Sequence, residues 1–125
     1  MFSKRDTRPE RIDTGDYTAE EYATFLREIR FINQRLGDRS ALEKTLLAEV
    51  SRLDLEHFSV LDVGAGTGEL LGVIAEHARD ENREVQLVGL DLNTLSVNEI
   101  AAESRVHTEI STVQGDALDL PFADN

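Results

Sequence analysis

The sequence predicts an α/β fold in which strands and helices alternate to build a parallel sheet. From residue 58 onward, short apolar runs of strand length alternate with stretches whose apolar residues recur every three or four positions. A turn with three glycines follows the first apolar run, and an acidic residue closes the second. Because parallel strands need a crossover connection, usually a helix, this order predicts three parallel strands joined by right-handed crossovers.

The first 57 residues are predicted to be a separate region, an arm followed by helices that pack on or cap the sheet. Residues 1–16 mix charges without an apolar period and predict a loose arm. Thr18 and Glu21 have the spacing of a capping box, which predicts the start of a helix that Gly37 ends. One apolar stripe runs along this helix: Tyr22, Phe25, Leu26, Ile29, Ile32 and Leu36.

A second helix is predicted to open at Ser40, because Ser40 and Glu43 repeat the capping-box spacing. Its apolar stripe consists of Leu42, Leu46, Leu47, Val50 and Leu53. Two amphipathic helices must bury their apolar faces, and we expect the sheet that follows to receive them.

The second region, residues 58–125, carries the alternating elements. They are expected in this order: a strand at 58–63, a helix from 68 to about 80, a turn at 81–83, a strand at 85–91, a helix capped by Asn93 or Thr94, and a strand at 107–114. In the first strand, Val60, Leu61 and Val63 favour a sheet that is covered on both faces. The first helix is expected to turn these residues inward: Leu70, Leu71, Val73, Ile74 and Ala78.

The turn at Gly64, Gly66 and Gly68 predicts a loop for a nucleotide cofactor. Glycine admits backbone torsions barred to other residues, and the following helix presents unpaired N–H groups to a ligand. In a dinucleotide fingerprint a third glycine would replace Glu69, whose charge would repel a pyrophosphate. Together with Asp62, Glu69 favours a ligand that carries a cationic centre and an ammonium group, such as S-adenosylmethionine.

At this turn the sequence resembles a known family. The run Val-Leu-Asp-Val-Gly-Ala-Gly-Thr-Gly-Glu-Leu at residues 60–70 is similar to the first motif of class I S-adenosylmethionine-dependent methyltransferases. Residues 85–91 and 113–122 resemble the next two motifs, in the same order. The resemblance implies a Rossmann-like sheet with strand order 3-2-1. Residues 58–125 would then be the cofactor-binding half of such a domain, truncated before its fourth strand.

Asp91 ends the second predicted strand, 27 residues after Gly64. An acid at this place can accept hydrogen bonds from both hydroxyls of a ribose, and the matching acid of the resembled family does so. A helix N-cap or a surface acid is the alternative interpretation. The resemblance also places Leu92 beside the adenine.

The remaining cofactor contacts are implied by the same resemblance. Asp116 would accept from the exocyclic amine of adenine and the N–H of Ala117 would reach a ring nitrogen, although Asp116 is also typical of a turn after a strand. Asp62 would bind the ammonium group, brace the turn, or do both. The amino-acid portion would lie on these residues: Gly64, Ala65, Gly66 and Gly68. In similar methyltransferases N-terminal helices often form a lid, and Tyr17, Tyr22 or the turn at 37–40 would serve here.

Composition narrows the function classes. The net charge is −12, and residues 58–125 hold three arginines against thirteen acids, so a nucleic-acid partner is not expected. The chain has no cysteine and no apolar run of membrane length, and we expect a cytoplasmic protein. The three histidines, His57, His77 and His107, share no metal-ligand spacing, so no metal site is predicted and none is assigned to catalysis.

The sequence therefore predicts an S-adenosylmethionine-dependent methyltransferase that acts on an unidentified small-molecule acceptor. The 125 residues alone are not expected to be active, because the acceptor site would lie beyond them. An unpaired edge on the first strand is expected to promote self-association. Half of a nicotinamide-dinucleotide dehydrogenase and a non-catalytic cofactor-binding module are the alternatives.

Overall fold

Three parallel strands form one sheet in the computed structural model, which describes residues 17–36 and 38–123. Strand β2 is central and pairs with β1 on one side and β3 on the other. The strands are β1 (His57–Val63), β2 (Glu84–Asp91) and β3 (Ile110–Gln114). The predicted α/β fold, with parallel strands in the order 3-2-1, is confirmed.

Helices precede the sheet and connect its strands. They are α1 (Ala19–Leu36), α2 (Asp38–Leu42), a π-helical segment (Glu43–Leu47), α3 (Ala48–Arg52), α4 (Glu69–Asp80) and α5 (Thr94–Val106). The predicted arm at 1–16, the stop at Gly37 and the side chains of Ile29, Ile32 and Leu36 lie outside the part of the chain that is described.

The predicted capping box opens α1. The Thr18 N–H donates to Oε2 of Glu21 at 2.8 Å, and the Glu21 N–H donates to Oγ1 of Thr18 at 3.1 Å. Two N–H groups at the helix start, which have no partner within the helix, are thereby satisfied.

The predicted start of the second helix at Ser40 is wrong, because α2 begins at Asp38 and places Ser40 inside the helix. The Glu43 carboxylate, which a capping box would turn back to the Ser40 N–H, instead accepts from Nε of Arg39 at 3.0 Å. The π-helical segment that follows buries Leu47, and α3 buries Val50. Leu53, the last residue of the predicted stripe, is half exposed.

The hydrophobic core lies between the helices and one face of the sheet. In register across the strands, Val60 lies opposite Leu87, and Leu87 lies opposite Ile110. The buried cluster contains Leu47, Leu71, Ile74, Ala75, Leu87, Ile100 and Ile110. Helix α4 also buries Gly72 and Ala78, whereas the predicted inward residues Leu70 and Val73 are only partly buried.

Gly89 lets two helices approach the central strand closely. A Cβ atom at this position would lie 2.9 Å from Cδ1 of Leu71 in α4 and 3.0 Å from Cγ2 of Ile100 in α5. Any side chain would therefore force the Leu71 or Ile100 side chain to shift.

The opposite face of β1 is open among the described residues. Side chains alternate along a strand, so Leu61 and Val63 point away from the face that Val60 shares with the core. Leu61 is 40% exposed and Val63 is 45% exposed. The prediction that both faces are covered is wrong for this part of the chain, because the buried cluster lies on the Val60 face.

Candidate functional site

The glycine turn, residues 64–68, joins the end of β1 to the start of α4. Gly64, Gly66 and Gly68 have φ values of 76°, 57° and 73°, in the left-handed region that favours glycine. The N–H groups of Gly64 and Ala65 both donate to the carbonyl oxygen of Leu90, at 2.8 and 3.1 Å. The turn is thus fixed against the carboxyl end of the neighbouring strand.

The glycines of this turn serve two different purposes. A Cβ atom at Gly64 or Gly66 would meet no protein atom within 4 Å, so both positions border open space. A Cβ atom at Gly68 would lie 3.3 Å from Cγ1 of Ile100, so this glycine permits close packing on α5. The predicted approach of a ligand to the main chain thus has room only at the first two glycines.

The Asp91 carboxylate connects the glycine turn to the loop after β2. Its Oδ2 accepts from the Gly66 N–H at 3.0 Å, and its Oδ1 accepts from the Asn93 N–H at 2.9 Å. Each carboxylate oxygen has a second lone pair, so further hydrogen bonds to hydroxyl groups stay available. The contact with ribose stays a prediction.

Asn93, not Asp91, caps α5. Its Oδ1 accepts from the Leu95 N–H at 2.8 Å, which confirms one of the two residues predicted for this cap. The N-cap alternative for Asp91 is therefore wrong.

Asp62 lies beside Asp91 at the carboxyl end of β1. No hydrogen bond to its carboxylate occurs among residues 17–36 and 38–123, so the bracing of the turn comes from Asp91 and not from Asp62. Burial, and then the negative charge of Asp91, raise the pKa of the Asp62 carboxyl above its ordinary value. A cation placed near both carboxylates would relieve this repulsion.

The predicted adenine residues lie in the turn after β3. The Gly115 N–H donates to the Asp91 carbonyl oxygen at 3.0 Å, which brings this turn next to the end of β2. Oδ1 of Asp116 accepts from the Leu118 N–H at 2.8 Å. Asp116 therefore does stabilise a turn, as its alternative interpretation holds. Leu92, Asp116 and Ala117 are all exposed, and their contacts with adenine stay predictions.

One connection at this end of the sheet was not predicted from the sequence. Nε2 of Gln114 donates at 3.0 Å both to the Leu92 carbonyl oxygen and to Oγ1 of Thr94. The side chain thereby joins the end of β3 to the loop before α5. Its only local signal is a polar residue at the end of an apolar strand, which is too common to predict a partner.

Two aromatic residues before and within α1 contact the first turn of α5. Tyr22 is 3% exposed, and its hydroxyl forms a hydrogen bond with Oγ of Ser96. The Tyr17 ring stacks on the Tyr22 ring with centroids 5.2 Å apart, and Nδ2 of Asn93 donates to the Tyr17 hydroxyl. Burial raises the pKa of Tyr22, and the charge of Asp91 adds to this effect. Whether these residues act as a lid stays a prediction, and Gly37 lies outside the described part.

The charged side chains of the predicted site are acidic. No ion pair among the described residues involves Asp62, Asp91 or Asp116. The three histidines pair with separate glutamates: His57 with Glu84, His77 with Glu81, and His107 with Glu76. In the described ranges no cluster of three or more acidic or histidine side chains is suited to a metal ion, and no helix has the length and apolarity to cross a membrane.

Comparison with known families assigns the chain. The family described as "Methyltransferase domain" matches residues 60–125, which is more than half of the sequence. The chain belongs to this family, as the resemblance of its motifs implied. A search of the curated proteins finds no match.

One of three similar solved structures supports the fold. A proposed S-adenosyl-L-methionine-dependent methyltransferase of Methanococcus maripaludis aligns with a TM-score of 0.61 and 17% identity, over 98% of this chain and 50% of that one. YjhP of E. coli aligns with a TM-score of 0.39 and 21% identity, over 81% and 31% of the two chains. A methyltransferase of Geobacter sulfurreducens, crystallised with S-adenosyl-L-homocysteine, has a TM-score of 0.39 and 19% identity, over 85% and 35%. The chain thus spans half or less of these proteins.

Proposed function

We propose that this chain is the S-adenosylmethionine-binding portion of a methyltransferase that acts on a small-molecule acceptor. The carrying observation is the open space above Gly64 and Gly66, bordered by two carboxylates that have no basic partner among the described residues. Membership of the methyltransferase-domain family supports the same function.

The residues around the glycine turn fit the parts of this cofactor. The turn leaves room for the amino-acid portion beside Gly64 and Gly66, and Asp62 offers a carboxylate to its ammonium group. Asp91 offers lone pairs to the ribose hydroxyls, while Leu92, Asp116 and Ala117 would contact the adenine. A ligand with a positive charge would offset the desolvation that raises the pKa of Asp62.

When bound, the cofactor would supply an electrophilic methyl carbon for an acceptor lone pair, and its sulfur would keep the electrons of the broken C–S bond. The chain's own residues hold the donor in a fixed orientation, which is the main requirement for such a transfer. No described residue is assigned as a base.

The electrostatics of α4 support S-adenosylmethionine over a nicotinamide dinucleotide. Glu69 occupies the first turn of α4, directly after the glycine turn. A pyrophosphate at this helix start would meet the Glu69 carboxylate, and like charges at short range repel.

The composition supports our proposals for the type of acceptor and for the cellular compartment. Residues 58–125 have a net charge of −10, from three arginines and thirteen acids, which disfavours a polyanionic acceptor and leaves a small molecule as our proposal. The absence of cysteine fits a reducing compartment, and we place the protein in the cytoplasm.

Parallel calorimetric titrations of the intact protein with S-adenosylhomocysteine and with NAD test the cofactor. We expect saturable binding of the first and none, or much weaker binding, of the second. Tighter binding of NAD would reverse the assignment. Cofactor binding without methyl transfer to any member of a broad panel of small acceptors would instead favour the non-catalytic module.

We further propose that residues 1–125 alone self-associate through β1, which is an edge strand of the described sheet and carries exposed Leu61. Sedimentation velocity at increasing concentration should show a growing oligomer fraction. Leu61→Lys should reduce it, whereas Ser111→Lys, on the other edge strand, should not. A stable monomer at all concentrations would contradict this proposal.

A further inference from the structure

The contacts of Tyr17 reach the cofactor site through another residue. Asn93 is fully oriented in this structure, because its Oδ1 accepts from the Leu95 N–H and its amide nitrogen therefore faces the Tyr17 hydroxyl. An asparagine amide oxygen cannot donate, so these two partners together fix which way the side chain points.

Asn93 also contacts Asp91, through its main chain. The Asn93 N–H donates to Oδ1 of Asp91 at 2.9 Å, and the other oxygen of the same carboxylate accepts from the Gly66 N–H at 3.0 Å. Hydrogen bonds on the side chain and on the main chain of Asn93 therefore connect Tyr17, before the first helix, to Asp91 and the middle of the glycine turn. Tyr17 and Asn93 are 76 residues apart in the sequence.

Tyr17 is itself held in place. Its ring stacks on Tyr22 with an angle of 19° between the planes, and Tyr22 is buried and bonded to Ser96 in the first turn of α5. The stacking thus fixes the Tyr17 ring where its hydroxyl can bond to Asn93. The two tyrosine hydroxyls have different partners: that of Tyr22 is bonded to Ser96 in α5, whereas that of Tyr17 is bonded to Asn93, which also contacts Asp91.

We infer that Tyr17 is a positioning residue of the cofactor site, which orients Asp91 through Asn93 and so sets the geometry of the glycine turn. This role rests on the proposed function only for its effect on cofactor affinity. Its effect on the glycine turn is a property of the ligand-free protein and can be measured without any cofactor.

Tyr17→Phe keeps the stacked ring and removes only the hydroxyl. In the ligand-free intact protein, we expect amide hydrogen exchange at Gly66 and Asn93 to become about three- to tenfold faster, the size expected for loss of one hydrogen bond. The melting temperature should stay close to that of the wild type. In an Asp91→Ala background the same substitution should add nothing at Gly66, because the two residues act in series.

Tyr22→Phe is the matched control, since it removes a tyrosine hydroxyl from the same aromatic pair. It leaves the buried Ser96 hydroxyl without this partner, so we expect a lower melting temperature but exchange at Gly66 close to the wild-type rate. Unchanged Gly66 exchange in Tyr17→Phe, or an equal effect with and without Asp91, would overturn the inference.

A titration separates this inference from the proposed function. Tyr17→Phe should weaken S-adenosylhomocysteine binding by about three- to tenfold. A wild-type protein that does not bind S-adenosylhomocysteine would refute the proposed function, while the exchange rates would still decide the role of Tyr17.

Discussion

The two ends of the sheet differ in how their charges are neutralised. At the amino end, acids and arginines pair with each other: Arg79 forms two bonds to Glu109, at 2.6 and 2.7 Å, and Arg83 contacts Glu81 and Asp54. At the carboxyl end, Asp62 and Asp91 lie next to each other without a basic partner in the described residues.

This difference separates the part of the molecule that stabilises the fold from the part arranged for a ligand. The Arg83 side chain is only 11% exposed, yet its guanidinium has several acceptors, among them the Leu55 carbonyl oxygen at 2.7 Å. Such an arrangement is complete without a ligand. The carboxyl end keeps repulsion between two acids and open space beside two glycines, both of which a cationic ligand would remove.

Gly66→Val should have the largest effect on the carboxyl end. The side chain fills the open space above the turn, and a β-branched residue at a φ of 57° is also strained. We expect S-adenosylhomocysteine binding to become undetectable by calorimetry, while circular dichroism still shows the helices. Gly72→Ala is the control. It adds a methyl group to α4, 3.5 Å from the His107 ring, and this variant should bind S-adenosylhomocysteine normally. Measurable binding by Gly66→Val would place the ligand elsewhere.

Asp91→Ala should weaken the same binding by about 1.5–3 kcal/mol, or roughly 10- to 150-fold, the range for hydrogen bonds to a charged group. The loss combines the ribose contact with the release of the Gly66 N–H. Asp80→Ala, an exposed acid at the far end of α4, controls for the change in net charge. An equal loss in both variants would mean that only overall charge matters.

Arg83→Met tests the amino end, where stability should change and binding should not. It leaves the Leu55 carbonyl oxygen and the carboxylates of Glu81 and Asp54 without their guanidinium partner. We expect a lower melting temperature and unchanged affinity for S-adenosylhomocysteine below that temperature. If affinity fell as much as stability, the two ends would not be independent.

Asp62→Asn should have the smallest and most pH-dependent effect. Because the pKa of Asp62 is raised in the folded chain, its contribution favours folding below the unfolded pKa and is lost as pH rises through the folded pKa. The melting temperature of the ligand-free wild type should therefore fall as the pH rises from the unfolded-state pKa to the folded-state pKa of Asp62, whereas that of Asp62→Asn should not. Affinity for the cofactor should change in the opposite direction, rising with pH in the wild type only, since the ammonium group prefers the charged carboxylate. Parallel pH profiles in the two proteins would exclude Asp62 from the ammonium site.

Local signals predicted most of the sheet and the turn. The capping box of Thr18 and Glu21, the cap at Asn93 and the glycines with positive φ each depend on residues within a few positions of one another. The starts of the helices were predicted less accurately. Ser40 and Glu43 have the spacing of a cap, but Arg39 competes for the same carboxylate.

Contacts between distant segments could not be predicted. Tyr22 and Ser96 are 74 residues apart, and the sequence around each residue has no pattern that predicts the other as its partner. The same holds for the bond from Gly66 to Asp91: the sequence indicated that both lie at one end of the sheet, but not that the acid braces the turn. The exposure of Leu61 and Val63 was also missed, because an apolar strand has the same sequence pattern whether or not its second face is covered.

Ile100 packs against both the central strand and the glycine turn. Its Cγ1 lies 3.3 Å from where a Cβ of Gly68 would be, and its Cγ2 lies 3.0 Å from where a Cβ of Gly89 would be. Trimming or enlarging this one aliphatic side chain would shift the base of the glycine turn without altering any atom that faces the proposed cofactor site. Substitutions of a buried residue could therefore be used to change which methyl donor the protein prefers.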